Sequence, residues 1–448
     1  MSITAARRVA LEVLLSVDVD DAYANIRLPE VLRKAQLPNR DAAFATELVY
    51  GTCRLTGRYD AIIRQATGKK SVASLDAPVR AILRMSCHDL LTLKTGAHAT
   101  VSQAVDATRS FGASRSAGFV NAVLRSIADK TPEQWRSDIL HGHDGLAHWY
   151  SHPAWMVREL SAALAAHGRN PREIIDLLIA DNTPPAIDLA IRRGDRGALL
   201  AEVPFDLAAT PYSPIGMRMR SGNPGRIREV RSGAVAVQDE GSQIMGLIAA
   251  NAPLEGRDER WLDMCAGPGG KSGILAAQAA RRGAHVVANE VSRHRSELVR
   301  SSVRVFDNVT VTCRDGRGIG REEGGQYDRV LVDAPCSGLG ALRRRPEARW
   351  RKKVGDISDL VTLQRELLAS AAAALRPGGL LIYVTCTPVV SETAGQSRYI
   401  HKSLGLTPCA VDVAAILGAS VPELGETSLQ LWPHLHHTDA MFAAVFRR

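Results

Sequence analysis

From about residue 236 onward, the chain alternates short apolar runs with helical patterns, and this alternation limits the folds available to its second half. The apolar runs cover residues 260–265, 285–290, 309–313, 328–333 and 380–385, and helical patterns begin at residues 270, 293 and 357. Such alternation is typical of a parallel doubly wound sheet with helices on both faces. Later apolar segments over 428–432 and 440–446 are predicted to form an antiparallel hairpin that closes one edge of this sheet.

The rest of the chain has two further textures. Residues 4–128 show helical periodicity with few strand signals, which predicts a small all-helical domain. Residues 131–235 are rich in proline and mix helices with short apolar runs, which predicts a small α+β connecting subdomain. A chain of 448 residues is too long for one ordinary core. We therefore predict an all-α domain over 1–130, the connecting subdomain over 131–235 and an α/β domain with a mostly parallel sheet over 236–448.

Charge and cysteine content narrow the class of protein. The formal net charge is +9 and most of the excess lies in residues 1–130, which favours a polyanionic partner such as nucleic acid. The seven cysteines include no C-x-x-C pair and no Cys/His cluster, which argues against a disulfide framework and a structural zinc site. No apolar run reaches the roughly 18 residues of a membrane span. We expect a soluble, cytoplasmic protein that holds no metal.

A glycine-rich loop over residues 263–272 follows the first predicted strand of the α/β domain. Its glycines, Gly267, Gly269 and Gly270, carry no side chain, so the backbone can approach a ligand closely. A phosphate-binding P-loop would need glycine where Cys265 stands, and the dinucleotide fingerprint is also incomplete. The loop is therefore predicted to bind a cofactor, with an ATPase and a nicotinamide oxidoreductase as the disfavoured alternatives.

Carboxylates follow the next three predicted strands. Glu290 ends the second strand, where a carboxylate can hold both hydroxyls of a ribose. Asp315 and Asp333 follow the third and fourth strands, so a row of acids is expected along the carboxyl edge of the sheet. A sulfonium cofactor with an adenosine part suits such acids better than a pyrophosphate. The alternative is that Glu290 and Asp315 merely cap the helices that follow them.

Two cysteines, Cys336 and Cys386, each stand at the turn beyond a predicted buried strand. Open α/β sheets place ligands and chemistry at such turns, and a thiol is the most nucleophilic side chain near neutral pH. We predict that both thiols face one pocket and take part in chemistry, with a packing role as the alternative. Four other cysteines have apolar neighbours and are interpreted as packing residues, namely Cys53, Cys87, Cys313 and Cys409.

Two stretches in the second half of the chain are strongly basic. Residues 343–353 contain seven basic residues among eleven, together with an aromatic. The candidates for binding the phosphates of a nucleic acid are Arg343, Arg344, Arg345, Arg349, Trp350 and Arg351. The second stretch comprises Arg218, Arg220, Arg226, Arg228 and Arg231. A solvated charged surface is the alternative for both stretches.

Four motifs together resemble the Sun (Fmu) type of RNA cytosine-C5 methyltransferase. They are Gln-Asp-Glu-Gly-Ser at 238–242, the glycine-rich loop at 263–272, Asp-Ala-Pro-Cys-Ser-Gly at 333–338 and Thr-Cys at 385–386. Residues 4–128 resemble the NusB-type helical RNA-binding module that precedes the enzyme in bacterial ribosomal members of this family. The resemblance implies a Rossmann-like class I methyltransferase domain that uses S-adenosyl-L-methionine and acts on 16S ribosomal RNA.

The resemblance also assigns roles to particular residues. The cofactor is expected on Cys265, Ala266, Gly267, Pro268, Gly269, Gly270 and Lys271, with Glu290 at the ribose hydroxyls, Asp315 near the adenine and Asp333 near the reacting end. Cys386 is expected to be the nucleophile and Cys336 the residue that releases the product. The sequence departs from the usual family pattern at Thr387, at Glu392 and Thr393, and at Asp439, Ala440, Met441 and Phe442, where Asp-Gly-Phe-Phe is usual.

The chemistry implied by the resemblance suits these residue types. Cytosine C5 is too poor a nucleophile to take a methyl group unaided, so a nucleophile must first add at C6. A thiolate suits that addition, and a cofactor sulfonium with Lys271 could raise the thiolate fraction of Cys386. Asp333 could hydrogen-bond the cytosine N3 or its exocyclic amine. The opposite assignment, with Cys336 as nucleophile, would match the Pro-Cys motif of DNA cytosine-C5 methyltransferases.

Two further functions stay open from the sequence. The same chemistry could act on transfer RNA, because only the helical N-terminal module points to ribosomal RNA. The chain could also be a non-catalytic RNA-binding scaffold similar to an antitermination factor. The presence of Cys336, Cys386, Asp333 and the cofactor loop argues against a scaffold. Phosphate contacts would make RNA affinity salt-sensitive, and the target base would have to be unpaired or flipped out.

Overall fold

The computed structural model describes residues 3–68, 71–202, 205–422, 424–425 and 427–448, without the side chains of residues 200–202. The chain folds as two compact units. The first unit comprises residues 1–158, 174–183 and 342–352, and the second comprises residues 159–173, 184–341 and 353–448.

The first unit is helical, as the periodicity of residues 4–128 predicts. Its helices are α1 (Ala5–Val19), α2 (Ala24–Ala35), α3 (Asn39–Arg54), α4 (Thr56–Thr67), α5 (Ala77–Leu91), α6 (Ala97–Ser110), α7 (Ala117–Ala128), α8 (Pro132–Leu140) and α9 (Gly145–Trp149). The helices α10 (Ala154–Ala166) and α11 (Glu173–Asp181) follow and contribute residues to both units. Apolar side chains at helical spacing, such as Leu11, Leu48 and Ile82, are fully buried in one core.

The second unit opens with a small antiparallel sheet. Its strands are β1 (Ile187–Ile191), β2 (Leu207–Ala209), β3 (Gly216–Met219) and β4 (Val235–Val237), in the order β2-β3-β1-β4. The short helices α12 (Arg196–Glu202) and α13 (Arg228–Ser232) lie between these strands in the sequence. Leu189 and Met217 are buried in a common core because they face each other in register across β1 and β3. The predicted α+β character of this region is confirmed.

The larger sheet has the predicted alternation of strands and helices. Its strands are β5 (Arg260–Asp263), β6 (His285–Asn289), β7 (Val309–Thr312), β8 (Tyr327–Asp333), β9 (Leu375–Thr385), β10 (Thr407–Cys409), β11 (Ser428–Gln430) and β12 (Phe442–Arg447). Its helices are α14 (Glu240–Asn251), α15 (Gly270–Ala280), α16 (Arg293–Val303), α17 (Gly316–Glu322), α18 (Gly355–Ala374), α19 (Ala394–Lys402), α20 (Val413–Leu417) and α21 (Pro433–His436).

The order and direction of the strands place the turns after β5 and β8 at the same edge of the sheet. The order is β10-β12-β9-β8-β5-β6-β7, with β7, β6, β5, β8 and β9 parallel and β12 antiparallel to β9. The chain runs from β5 outward to β7 and then returns to β8 on the other side of β5. Ligands of doubly wound sheets bind at the carboxyl ends of the strands where the order reverses in this way. The turns after β5 and β8 therefore mark the expected site.

The C-terminal hairpin is confirmed, but its position in the sheet is not the predicted edge. Strands β11 and β12 pair antiparallel, with Ser428 opposite Ala444. On one side, β12 pairs along its whole length with β9. On the other side, its first half pairs with β11 and its second half with β10, so β12 lies inside the sheet. Strand β10 was not predicted, because it is three residues long and contains Pro408, which is tolerated in a strand only where a backbone donor is not required.

Candidate active site

The glycine-rich loop between β5 and α15 is tightly packed against the following strand and helix. Gly269 has φ +103°, and a Cβ there would lie 2.7 Å from the Ser302 side chain. A Cβ at Gly267 would lie 2.2 Å from a Glu290 carboxylate oxygen. Only glycine fits both positions, because any side chain would displace the carboxylate or strain the backbone. The loop therefore presents bare backbone at the carboxyl edge of the sheet.

Glu290 lies directly beside this loop. Its carboxylate accepts hydrogen bonds from the backbone N–H of Gly267 at 3.1 Å and of Ser292 at 2.9 Å. The side chain is almost fully buried, and the Arg295 guanidinium approaches it at 3.5 Å. The structure thus brings Glu290 and the loop together, as the sequence predicts. Asp315 is different, because its half-exposed carboxylate caps α17 at the Arg317 N–H and pairs with the Arg317 guanidinium at 2.7 Å.

Two further carboxylates meet the start of α15. The Lys271 ammonium donates to the Asp333 carboxylate at 2.7 Å, with only 10% of the lysine side chain exposed. Burial alone would lower the pKa of Lys271, but the Asp333 carboxylate outweighs burial and raises it. Asp263, at the end of β5, is fully buried and accepts from the Ser272 hydroxyl at 2.6 Å. Burial raises the pKa of Asp263 to about 7.

The two cysteines lie side by side. Their Sγ atoms are 3.4 Å apart, and both residues are partly exposed. A hydrogen bond from the Cys336 thiol lowers the pKa of Cys386, and the Lys271 charge acts in the same direction against burial and Asp333. The same hydrogen bond, together with burial, raises the pKa of Cys336. Of the two thiols, Cys386 is therefore the one that ionises more readily.

The turn that carries Cys336 is fixed by backbone pairing. The Gly340 N–H donates to the Cys386 carbonyl at 2.9 Å, and the Ala440 N–H donates to the Gly340 carbonyl at 2.8 Å. A Cβ at Gly340 would lie 2.1 Å from the Ala440 carbonyl, so a side chain would separate the two segments. Ala440, where the family pattern has glycine, is thus accommodated by the glycine opposite it.

Glu392 forms a buried polar network beneath this turn. Its carboxylate accepts from the Ser337 N–H at 2.8 Å, from the Ser337 hydroxyl and from the Gln364 amide at 3.0 Å. Thr387, directly after Cys386, places its hydroxyl 2.9 Å from the Ser337 hydroxyl. Burial raises the pKa of Glu392. The role of Glu392 was not predicted, because the sequence shows an acid six residues beyond Cys386 but not what it faces.

The motif at 238–242 supports the site from the side of α14. One Asp239 carboxylate oxygen caps α14 at the Gly241 N–H and also accepts from the Asp439 N–H at 3.1 Å. Glu240 is fully buried and accepts from the Tyr212 and Ser213 N–H groups at 2.6 and 2.8 Å. These acids hold the turn before β12 and the loop between β2 and β3, so they are structural supports.

The basic segment 343–351 belongs to the first unit, and its arginines are used within the protein. Arg349 is completely buried and donates to the Ser151 carbonyl at 2.8 Å and the Asn182 side chain at 2.9 Å. The Arg351 guanidinium donates to the backbone carbonyls that end α1, and both Arg345 and Arg351 lie over the Tyr23 ring.

Arg349 therefore does not bind phosphate as the sequence suggested, because burial closes it to any ligand. Its burial also lowers its pKa to about 10. Arg343 is also largely buried. The half-exposed Trp350 ring packs on the backbone of Gly57, where a Cβ would lie 2.4 Å from the ring. Arg344 has partners inside the chain. In the second basic stretch, Arg218 is held by Asp188 at 2.8 Å.

Within the described part of the chain, no group of three or more His, Cys, Asp or Glu side chains is placed to hold a metal ion. Over those same residues, no helix combines the length and the apolar character needed to cross a bilayer.

The strand order, the glycine-rich loop and the acids at the carboxyl edge define a Rossmann-like α/β domain of the class I methyltransferase type. The sequence model of the family described as 16S rRNA methyltransferase RsmB/F matches residues 252–447, and that of the NusB family matches residues 4–129. The Mycobacterium tuberculosis protein Rv1407 is 42% identical over 99% of this chain and 96% of its own length.

Two more comparisons agree with this class. Ribosomal RNA small subunit methyltransferase B of Pasteurella multocida is 31% identical over 87% of this chain and 85% of its own length. The crystal structure of PH0851 superposes with a TM-score of 0.80 at 22% identity, covering 100% of both chains, and so shares the fold. The chain therefore belongs to the RsmB/F family of methyltransferases and carries a NusB-family domain in its N-terminal part, which confirms the resemblance seen in the sequence.

Proposed function

We propose that this protein transfers a methyl group from S-adenosyl-L-methionine to C5 of a cytidine in 16S ribosomal RNA, through a covalent bond between Cys386 and C6 of the base. The observation that carries the proposal is the pair of partly exposed thiols with Sγ atoms 3.4 Å apart, at the same sheet edge as the Lys271–Asp333 ion pair. The name of the Pasteurella multocida relative supports ribosomal RNA as the substrate.

The residues present fit the proposed cofactor. Because Gly267 and Gly269 have no Cβ, the loop packs directly against Glu290 and Ser302, and this packing holds the Glu290 carboxylate beside the loop, where it would accept from ribose hydroxyls. The Gln238 side chain faces Gly270 and has a buried carbonyl oxygen with no hydrogen-bond partner among the described residues. Cys265 to Lys271 would line the cofactor, Asp315 would lie near the adenine and Asp333 near the reacting end. S-adenosylmethionine, when bound, supplies an electrophilic methyl group.

The first step assigned to the protein is addition of the Cys386 thiolate to C6. A bond forms between Sγ and C6, and the electron pair of the C5=C6 bond becomes available at C5 for methylation. Cys336 favours this step by donating a hydrogen bond to the thiolate, and Lys271 by its positive charge. The Asp333 carboxylate, held by Lys271, accepts a hydrogen bond from the exocyclic amine and orients the base.

The second step is release of the product. The proton on C5 passes to a water molecule that Cys336 positions, or to Cys336 itself once its thiol has lost its own proton to solvent. The electron pair of the C5–H bond restores the C5=C6 bond, and the bond from C6 to Cys386 breaks to regenerate the thiolate. Cys336 lies next to the departing sulfur and serves this elimination directly or through a water molecule that it positions. The raised pKa of Cys336 suits a group that stays protonated while Cys386 attacks.

Trapping of the covalent complex tests these assignments. Cys336→Ala should retain methylated RNA in a denaturant-stable adduct, whereas Cys386→Ala should form none. Cys313→Ala is the matched control and should behave as the wild type, because Cys313 lies in the same unit and is exposed, not packed in the core as the sequence suggested. Adduct formation by Cys386→Ala but not by Cys336→Ala would transfer the nucleophile to Cys336.

Bisulfite sequencing of RNA from cells with and without the gene tests the substrate. Loss of one 5-methylcytidine in 16S ribosomal RNA is the expected result. Loss of the modification in transfer RNA would replace ribosomal RNA as the substrate class. Unchanged methylation in every RNA class, together with RNA binding by the purified protein, would favour a non-catalytic scaffold.

A further inference from the structure

A large cleft lies at the opposite edge of the parallel sheet from the cysteines. It has a volume of about 870 Å³ and lies wholly within the second unit. Its walls come from the segment after β1, the end of α15 and the turn before β7, and they include His285 at the start of β6. The five residues of β6 make four steps of roughly 3.3 Å, so about 13 Å of strand separates this edge from the carboxyl edge.

The charged side chains of the cleft are predominantly basic. Those that line it are Arg192, Arg193, Arg196, Arg281, His285, Asp195 and Asp307. Arg193, Arg196 and Arg281 are exposed, and Asp195 is engaged by capping the Ala198 N–H at 2.9 Å. The cleft therefore carries more positive than negative charge, in a concave space that concentrates its potential.

Arg192 is a buried cation in the wall of the cleft. The residue is only 6% exposed, and its guanidinium donates to the Gly233 carbonyl at 2.6 Å and to Ser302 at 2.9 and 3.0 Å. Its Nε is buried with no hydrogen-bond partner, and no carboxylate pairs with it within the ranges that the structure describes. A Cβ at Gly273 would lie 2.1 Å from this guanidinium, so the helix α15 leaves space for it.

Two of the three exposed arginines are held in the same way. The Arg193 guanidinium donates to the Val305 carbonyl at 2.7 Å, and that of Arg196 to the Pro214 carbonyl at 3.4 Å. Backbone carbonyls orient a guanidinium without neutralising its charge, whereas a carboxylate would do both. Burial and the nearby Arg304 lower the pKa of Arg192 to about 10, which leaves it charged at neutral pH. Several oriented, uncompensated guanidinium groups in one concavity are suited to bind phosphates.

We propose that this arginine cleft, whose exposed cations are Arg193, Arg196 and Arg281, binds the phosphodiester backbone of the substrate RNA at a distance from the methylated base, while the buried Arg192 supports the cleft wall. The proposal rests on the proposed function, because it takes RNA as the polyanion. It adds a contact that acts through affinity and not through the reaction, since the cleft and the cysteines lie at opposite edges of the sheet. A strand that reaches both edges must extend several nucleotides beyond the target.

The test uses the full-length protein with paired charge reversals. Arg193→Glu/Arg281→Glu alters the cleft, and Arg321→Glu/Arg398→Glu, two exposed arginines on α17 and α19, is the control with the same change in net charge. Affinities for a 16S ribosomal RNA transcript and for a trinucleotide with the target cytidine at its centre are measured by fluorescence anisotropy between 50 and 300 mM salt.

The expected result is a loss confined to the long RNA. The cleft variant should bind the transcript roughly tenfold more weakly, and the slope of log affinity against log salt should become less steep by about 1.4, for two lost phosphate contacts on a single strand. Affinity for the trinucleotide, which is too short to reach the cleft from the active site, should stay unchanged, which also shows that the variant is folded. The control should bind both RNAs within about twofold of the wild type.

Other outcomes overturn the proposal. If the cleft variant and the control lose transcript affinity equally, the loss is caused by the change in net charge, and the cleft does not bind the RNA. If the cleft instead binds inorganic phosphate or a mononucleotide and the transcript is unaffected, it is a small-anion site. Failure of the proposed function is recognised separately, because loss of 5-methylcytidine formation is scored by sequencing and RNA affinity by anisotropy.

Discussion

Asp263 offers the sharpest test of the electrostatics inside the methyltransferase domain. Its side chain is fully buried at the end of β5, and burial raises its pKa from 3.8 to about 7. An acid with a raised pKa is protonated in the folded protein while it is already ionised in the unfolded chain. Its contribution to the free energy of unfolding is therefore complete below about pH 4 and is lost as the pH rises to about 7.

The size of this loss follows from the two pKa values. A difference of about 3 units corresponds to about 4 kcal/mol in full, at 1.36 kcal/mol per unit. Between pH 5.5 and 8 the stability lost is about 2 kcal/mol, because the rest of the loss has already occurred between about pH 4 and pH 5.5. Asp263→Asn keeps an oxygen for the Ser272 hydroxyl but cannot ionise, so this share of the pH dependence should vanish.

Urea unfolding of the wild type and of Asp263→Asn at several pH values measures the difference. The free energy of unfolding of Asp263→Asn minus that of the wild type should rise by about 2 kcal/mol between pH 5.5 and pH 8. Asp359→Asn, an exposed aspartate on α18, should show no such trend. If the difference between Asp263→Asn and the wild type is constant over this range, Asp263 does not titrate as its burial requires.

Three further results are expected. Lys271→Met should raise the pKa of Cys386, seen as a shift of its iodoacetamide alkylation to higher pH; an unchanged profile would deny Lys271 an electrostatic role. Glu392→Ala should cost about 2–4 kcal/mol in urea unfolding, because the Ser337 N–H and its hydroxyl lose their buried acceptor, with a smaller cost for Glu392→Gln. Arg349→Met should lower the free energy of unfolding by about 1–3 kcal/mol yet leave RNA affinity unchanged in anisotropy; weaker RNA binding with unchanged stability would restore it as a phosphate contact.

Much of the fold could be predicted because its signals are local. Alternation of apolar runs and helical periods identified β5, β6, β7 and β8 to within two residues at each end, and the glycine-rich loop between β5 and α15. The same reasoning missed β10 and the inner position of β12, because pairing partners are chosen by distant segments and not by the strand itself.

By itself, the sequence determined which chemical groups stand at the ends of which strands, because residue type and strand period are properties of neighbouring positions. These positions were enough to predict that one edge of the sheet carries Cys336, Cys386, Lys271, Asp333 and Glu290. Only the tertiary structure decided which charges are neutralised and which are not. Arg349 is buried, and Arg192 has no carboxylate partner among the residues described, because of how segments far apart in the chain pack together. Solvent exposure and partner distance then set the energy of each charge.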